Sequence, residues 1–279
     1  MKKTLSLTTA LIALLAVFAP ITAATTAEAA TCSAGALSTI KSGVLTIGTD
    51  NPAYPPWFDS NKPANGKGFE SAIAFAVAKQ LGYTGTKVKW VTAPFNSVIA
   101  PGKKPFDFDI NEVSITPVRA KAVDFSTGYY DVAQAIVTIK GSKIANAKSI
   151  KDLANAKLGA QVGTTSYATI TGVIKAKQKP AVFDTNDQAT AALKNGQVDG
   201  LVLDLPTAFY VANAALTNGV ILGQFATKPG SEQFGLVLSK ASAITSCVSK
   251  AVDALRANGT LAALATKWLA ASGGAPVLK

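Results

Sequence analysis

Leu158-Gly159-Ala160-Gln161-Val162-Gly163-Thr164-Thr165-Ser166 reads as a strand, a sharp turn and the start of a helix. Leu158–Val162 is short and largely apolar, as a strand covered on both faces is. Gly163 opens the turn, and a run of hydroxyl residues follows where a helix needs side-chain acceptors for its first N–H groups. The helix is expected over Ser166–Ala176. A unit of this kind belongs to α/β layering, in which a helix carries the chain back to a neighbouring strand.

The alternation extends in both directions. Val44–Thr49, Val88–Val91, Ala133–Ile139, Ala181–Phe183, Gly200–Leu203 and Phe234–Leu238 read as further strands. Phe69, Ile73, Ala76, Val77 and Leu81 recur at helical spacing, and Gly82 marks that helix's end. Asp187–Asn195, Leu205–Leu216, Ala241–Ala257 and Thr260–Ala271 are the remaining helix candidates. Such alternation predicts mostly parallel sheets. Tyr129–Ala133 and Pro229–Gln233, short and rich in turn or polar residues, are candidate crossings between two lobes.

The 279 residues can bury a full core, and with 48% hydrophobic and 15% charged residues nothing suggests wholesale disorder. Residues 1–29 resemble a secretory leader: Lys2 and Lys3, an apolar run from Leu11 to Ala24, then Ala27-Glu28-Ala29 as a small-x-small cleavage site. The competing reading, a membrane anchor, is disfavoured because the run is shorter than the ~20 residues a span needs. Thr31 before Cys32 argues against lipid anchoring, which calls for a small residue there. Cys32 and Cys247 are the only cysteines and would lie in the exported part, where they could pair or stay free. Two cysteines and no histidine make no convincing metal site, and no cofactor is implied. The net charge of +11 favours lingering near anionic surfaces. Nucleic acid is a poor partner, because the lysines are scattered and no basic helix or RNA-binding motif is present.

Several short segments carry chemistry. In Val113-Ser114-Ile115-Thr116-Pro117-Val118-Arg119, Thr116 suits an N-cap and Pro117 the first helical position, which puts Arg119 in the first turn. A cation there is unfavourable unless an anion joins it. Backbone donors, a hydroxyl and a guanidinium together make a carboxylate site; the plainer alternative is a solvated arginine. Gly163-Thr164-Thr165 offers a second helix start with free donors, or only an ordinary turn. Asp50 and Asp204 end strand candidates, where α/β folds bind ligands and where either could receive an ammonium group. Each could equally be a turn or cap residue. Tyr54-Pro55-Pro56-Trp57-Phe58 is a stiff aromatic loop, and Phe95 opens a later one; such rings can wall a pocket or cover a core. Glu112, just ahead of the expected carboxylate site, would meet a basic or amide side chain if it faces the cleft.

Taken in order, these segments resemble the polar amino-acid-binding proteins of ABC importers, family 3 of the bacterial solute-binding proteins. The resemblance runs from about Gly43 to Leu269. Gly43–Asp50 resembles the family's opening strand, Gly68-Phe69-Glu70 its Gly-Phe-Asp helix start, and Ser114-Ile115-Thr116 with Arg119 its Thr/Ser-x-Thr-x-x-Arg motif. Asp124-Phe125-Ser126 with Tyr129-Tyr130 is similar to its Phe-Ser-x-Pro-Tyr-Tyr element, with Gly128 in place of Pro. The resemblance implies an α/β, two-lobed periplasmic-binding-protein-like fold of type II with two hinge strands. After the leader (1–29) and an N-terminal extension (30–42), residues 43–130 and 234–279 would form lobe 1 and residues 131–233 lobe 2. The hinges would lie near 129–133 and 229–233. It further implies a free amino acid as ligand and a membrane permease as partner. In that scheme Arg119, Ser114, Thr164 and Thr165 hold the ligand carboxylate, Asp204 its ammonium, and Tyr54, Phe95 and Asp50 its side chain. The expectation is an exported monomeric binding protein, not an enzyme, that closes on its ligand. Two rivals are a cyclohexadienyl dehydratase on the same scaffold, with Glu112 as general acid, and a sensory module with a degenerate pocket.

Overall fold

The computed structural model describes residue 1, residues 32–272 and residues 274–279. Apart from Met1, the expected leader lies outside the described residues. In chain order the elements are β1 (Leu45–Thr49), α1 (Phe69–Gln80), β2 (Val88–Thr92), α2 (Phe95–Ile99), β3 (Phe108–Asp109), β4 (Val123–Phe125) and β5 (Tyr130–Asp131). There follow β6 (Gln134–Ile139), β7 (Leu158–Gln161), α3 (Thr165–Thr169), β8 (Ala181–Phe183), α4 (Asn186–Lys194), β9 (Gly200–Asp204), α5 (Leu205–Tyr210) and β10 (Gly219–Phe225). The chain ends with β11 (Gln233–Phe234), β12 (Val237–Ser239), α6 (Thr245–Ala257), α7 (Thr260–Leu269) and β13 (Val277–Leu278). Each of α3 and α5 continues as one wider π turn, over Ile170–Ile174 and Val211–Ala215.

Two sheets organise the molecule. The first has the order β2-β1-β3-β12-β4 and the second β13-β10-β6-β9-β7-β8. Side chains alternate across the second sheet as strand geometry demands. Ala135 and Val137 of β6, with Leu201 and Leu203 of β9, enter the core under α4 and α5. Their neighbours Ile136 and Val202 enter the opposite core, with Ile170 and Leu222. In the first sheet Leu45, Ile47 and Leu238 pack beneath α1, α6 and α7, while Val237 faces a smaller core with Phe95 and Val98.

The sheets are mostly parallel, as expected, with one reversed strand in each, β12 in the first and β6 in the second. β1 is parallel to β2 and β3, but β12 is antiparallel to β3 and β4. β6 is likewise antiparallel to both β9 and β10. The antiparallel pairings arise where the chain enters a sheet from the other lobe, not through a crossover helix. The strand expected over Phe234–Leu238 is split: β11 pairs with β5 to form a ribbon between the sheets, and β12 joins the first sheet. β5 lies within the first candidate crossing, and β11 begins at the last residue of the second. The end of the chain does not stay with the first sheet, since β13 pairs with β10 on the edge of the second.

Residues 32–42 are tied to the first lobe. Cys32 and Cys247 form a disulfide, with Cα atoms 5.3 Å apart. Asp107 accepts from the N–H groups of Ile40 and Thr46, each at 2.7 Å, and the Tyr83 hydroxyl donates to the Ala34 carbonyl. At the start of α1, Gly68 has φ +94°, and a Cβ there would lie 2.4 Å from the Trp57 carbonyl. Only glycine lets the aromatic loop pack this closely on the helix.

Candidate functional site

A cleft between the two sheets is lined by Asp50, Tyr54, Phe95, Glu112 and Arg119 from the first lobe and by Thr164, Thr165 and Asp204 from the second. Eight of the nine residues expected from the sequence therefore converge. They do so because β1, β7 and β9 all point their carboxyl ends into the cleft, and the segments that follow them carry the polar groups.

Arg119 does not open a long helix. It begins a single 3₁₀ turn, Arg119–Lys121, in which Thr116 Oγ1 accepts the Arg119 N–H at 3.2 Å. The expected dipole contribution is therefore small, and position does the work. The guanidinium is buried, donates to the Ser114 carbonyl at 2.6 Å and reaches across to the Gly163 carbonyl at 2.9 Å. It lies over the Phe95 ring, 5.4 Å from the centroid. These bonds use two of the five N–H donors of a guanidinium and leave a fork's worth for an anion. Burial lowers its pKa, and the carboxylates of Asp204 and Glu232 oppose that shift.

Ser114 is the expected residue that does not line the cleft. Its hydroxyl donates to Glu232 Oε1 at 2.7 Å and lies 3.4 Å from Thr165 Oγ1. Its carbonyl, not its hydroxyl, is what holds Arg119. Thr164 caps α3: its hydroxyl donates to the Gln161 carbonyl at 2.7 Å and accepts from the Tyr167 N–H at 3.3 Å. The first-turn N–H groups of α3 have no partner within the helix.

Asp204 is set by Gln134. The Gln134 side-chain oxygen accepts from Ser166 Oγ at 2.7 Å, which turns its nitrogen towards Asp204 Oδ1 at 2.5 Å and Glu232 Oε1 at 3.1 Å. Burial, then the nearby Glu232 charge, push the Asp204 carboxyl well above its ordinary pKa. Asp50 accepts from the Asn51 N–H at 2.7 Å and the Phe95 N–H at 3.4 Å, so it shapes the loop while facing the cleft. Burial raises its pKa as well. Tyr54 faces Tyr210 of the second lobe, with ring centroids 6.4 Å apart. Trp57 and Phe58 are fully buried and belong to the core.

Glu112 faces the cleft on a backbone with φ +53°. Its N–H donates to Glu70 Oε1 at 2.7 Å, and its Oε2 accepts from the Thr207 hydroxyl at 2.6 Å. The same hydroxyl accepts from Trp57 Nε1 at 2.8 Å. Burial, reinforced by Glu70 and Asp204, puts the Glu112 pKa well above the usual carboxylate range. Glu70, buried behind it, also accepts from the Tyr129 hydroxyl, and burial lifts its pKa to about 7. Three amides that no sequence motif marks also line the cleft: Asn111, Gln161 and Asn186. Asn111 Nδ2 is buried without a hydrogen-bond partner. An isolated amide has no local signature in the sequence.

Comparison with known proteins agrees with this geometry. Residues 45–271 match the profile of bacterial extracellular solute-binding proteins, family 3. The arginine-binding extracellular protein ArtP of Bacillus subtilis (strain 168) is 30% identical over 234 residues, covering 80% of this chain and 85% of its own. Among solved structures, an ancestral arginine-binding protein bound to arginine superposes with a TM-score of 0.68 at 33% identity, over 81% of this chain and 97% of that one. The ancestral amino acid-binding protein AncCDT-1, a precursor of cyclohexadienyl dehydratase, has a TM-score of 0.64 at 30% identity, over 81% and 94%. A type II periplasmic-binding fold, a cleft that sets a buried guanidinium opposite a carboxylate, and a profile match over most of the chain place this protein in the bacterial extracellular solute-binding proteins, family 3.

Proposed function

We propose that the cleft takes up one free α-amino acid with a cationic or amide-bearing side chain, cationic first, and that the closed protein delivers it to the permease of an ABC importer. Arg119 and the α3 N–H groups near Thr164 and Thr165 receive the α-carboxylate. Asp204 receives the α-ammonium. The side chain runs between Tyr54 and Phe95 towards Asp50 and Glu112. Ser114 acts from behind, by fixing Arg119. Residues 129–133 and 229–233 serve as the hinges.

The charge inventory of the cleft carries this reading. Asp50, Glu112 and Asp204 face one guanidinium, Arg119. A zwitterion with a neutral side chain adds no net charge, whereas a cationic side chain supplies one of the missing positive charges. Burial raises the pKa of all three carboxyls, so each gains from a nearby cation. The arginine-binding relatives fit the same class. The test is thermal unfolding of the mature protein with each free amino acid, since a ligand of the folded state raises the midpoint. Arginine or lysine should give the largest shift, and Glu112→Gln should cut that shift more than the shift with glutamine. A largest shift with glutamate or aspartate, or an unchanged ranking in Glu112→Gln, would overturn the assignment.

In this reading the protein is an exported monomer and not an enzyme. The Cys32 sulfur is joined to Cys247 and so is not available for a lipid, which favours free export over anchoring. One observation favours a second reading. A buried Glu112 carboxyl that faces the cleft, its pKa raised by burial and by Glu70 and Asp204, is the kind of group a general acid of a dehydratase needs. Turnover of prephenate or arogenate, lost in Glu112→Gln, would establish that reading in place of simple binding.

A further inference from the structure

We propose that one end of the second lobe is a basic surface that holds the protein against anionic phospholipid. The backbone brings three separated segments together there. Lys177 N–H donates to the Ala154 carbonyl at 2.8 Å, and Ile150 N–H donates to the Lys279 carbonyl at 2.9 Å. The Gln178 side chain reaches the Asn155 carbonyl at 2.7 Å. Lys148, Lys151, Lys157, Lys175, Lys177 and Lys179 therefore lie on neighbouring turns, and all six are exposed, as is Lys279.

The acidic side chains in these segments, Asp152 and Asp199, are already engaged. Asp152 Oδ2 accepts from the N–H groups of Lys148 and Ser149, each at 2.9 Å, and closes its own turn. Asp199 pairs with Lys143 at 2.9 Å and accepts from the Lys157 N–H at 2.5 Å. Among the described residues the only ion pairs are Lys143–Asp199 and Lys240–Asp124, so none of the seven lysines has one.

Two exposed valines select a lipid surface over a soluble polyanion. Val173 and Val277 are each 50% exposed, although their neighbours Ile174 and Leu278 share one core. A solvated polymer has no use for such side chains, whereas a bilayer interface takes up small apolar groups ringed by lysine. Each lysine close to an anionic leaflet is worth about a fivefold gain in partitioning, and the gain is lost as salt screens the field.

The experiment is sedimentation of the mature protein with phosphatidylcholine vesicles, with and without phosphatidylglycerol, at low and high salt. Wild type should bind only the anionic vesicles, and only at low to moderate salt. A variant with Lys151, Lys175, Lys177 and Lys179 changed to Gln should bind at least about a hundredfold more weakly. A variant with Lys62, Lys67, Lys79 and Lys87 changed to Gln carries the same net charge and should bind as wild type does. Both variants change exposed side chains only, and unfolding midpoints close to wild type verify that they fold. Absence of wild-type binding, or equal loss in the two variants, would overturn the proposal. Unchanged binding after Val173→Ser with Val277→Ser would overturn the choice of lipid.

Discussion

Thr207→Val is the sharpest test of how the cleft closes. The Thr207 hydroxyl, on α5 of the second lobe, accepts from Trp57 Nε1 at 2.8 Å and donates to Glu112 Oε2 at 2.6 Å. Trp57 packs in the core of the first lobe, and Glu112 belongs to that lobe too. Valine keeps the volume and removes both bonds. In the closed form an indole N–H and a carboxyl oxygen would then face a methyl group, with Thr207 only 2% and Trp57 0% exposed. Once the lobes part, water can serve both groups, so the penalty falls on closure. Each buried unsatisfied group costs about 1–3 kcal/mol, and the raised pKa of Glu112 eases the loss of a partner for its charged form, which gives about 3 kcal/mol for the pair. Because ligand binds through closure, the dissociation constant should rise about a hundredfold. Calorimetric titration with the amino acid that most stabilises the wild type measures this, and Thr207→Ser should recover most of the loss. A Thr207→Val affinity within about threefold of wild type would refute the argument.

Arg119→Ala should abolish stabilisation by every amino acid, and Arg119→Lys should recover little of it, because an ammonium cannot reach the Ser114 and Gly163 carbonyls and still present a fork to a carboxylate. Stability without ligand should fall as pH rises. Glu70 has a folded pKa of about 7 against an ordinary 4.5, so the native state holds the extra proton between those values, and up to about 3 kcal/mol present below pH 4.5 is lost by pH 7; urea unfolding across that range measures it. A cationic ligand lowers the raised pKa of Glu112 and Asp204, so arginine binding should release protons at pH values above the ordinary carboxylate range where these groups still hold them, seen as a binding heat that varies with the buffer's ionisation enthalpy across a pH series. Changing Cys32 and Cys247 both to Ser opens a link between residues 215 apart and should cost about 3–5 kcal/mol, read as a lower midpoint in denaturant. Glu70→Asp should weaken preference for arginine over glutamine several-fold, and in a double-mutant cycle with Glu112→Gln the two effects should not add.

The elements legible from the sequence were those whose pattern is local. β1, β7, β8 and β9 are short apolar runs bounded by turn residues, and α1 repeats at helical spacing. β10 escaped because Gly219 and Gly223 interrupt its apolar run, and those glycines answer to distant partners. A Cβ at Gly219 would lie 2.3 Å from the Ala212 carbonyl, and one at Gly223 would lie 2.5 Å from the Pro276 carbonyl. β3, β4, β5 and β11 are two or three residues long, so tertiary pairing and not propensity decides them. The same division holds in the cleft. Charged and aromatic residues after strand ends could be picked out one by one. The Gln134–Ser166–Glu232 network that orients Asp204 could not, since its members lie far apart in sequence.

In the sequence Glu70 and Glu112 are unrelated, one standing where the family's Gly-Phe-Asp helix start has Asp, the other just ahead of the segment that carries Arg119. In the folded chain they are one device. Glu70 Oε1 accepts the Glu112 N–H at 2.7 Å and so holds a residue that is not glycine at φ +53°, a backbone state that costs of order 1–3 kcal/mol. From that backbone the Glu112 side chain reaches both the cleft and Thr207. Aspartate at position 70 is one methylene shorter and would have to give up either Glu112 or the Tyr129 hydroxyl that shares the same oxygen. Neither acid is stable as an isolated charge in that interior: burial is the largest cause of each raised pKa, and Glu70 adds to the shift at Glu112. Under the proposed cationic preference, a ligand side chain would relieve that repulsion only with the lobes closed around it. Preference for a cation and preference for closure then draw on the same interaction, and substitutions at Glu70, Glu112 and Thr207 should move both together.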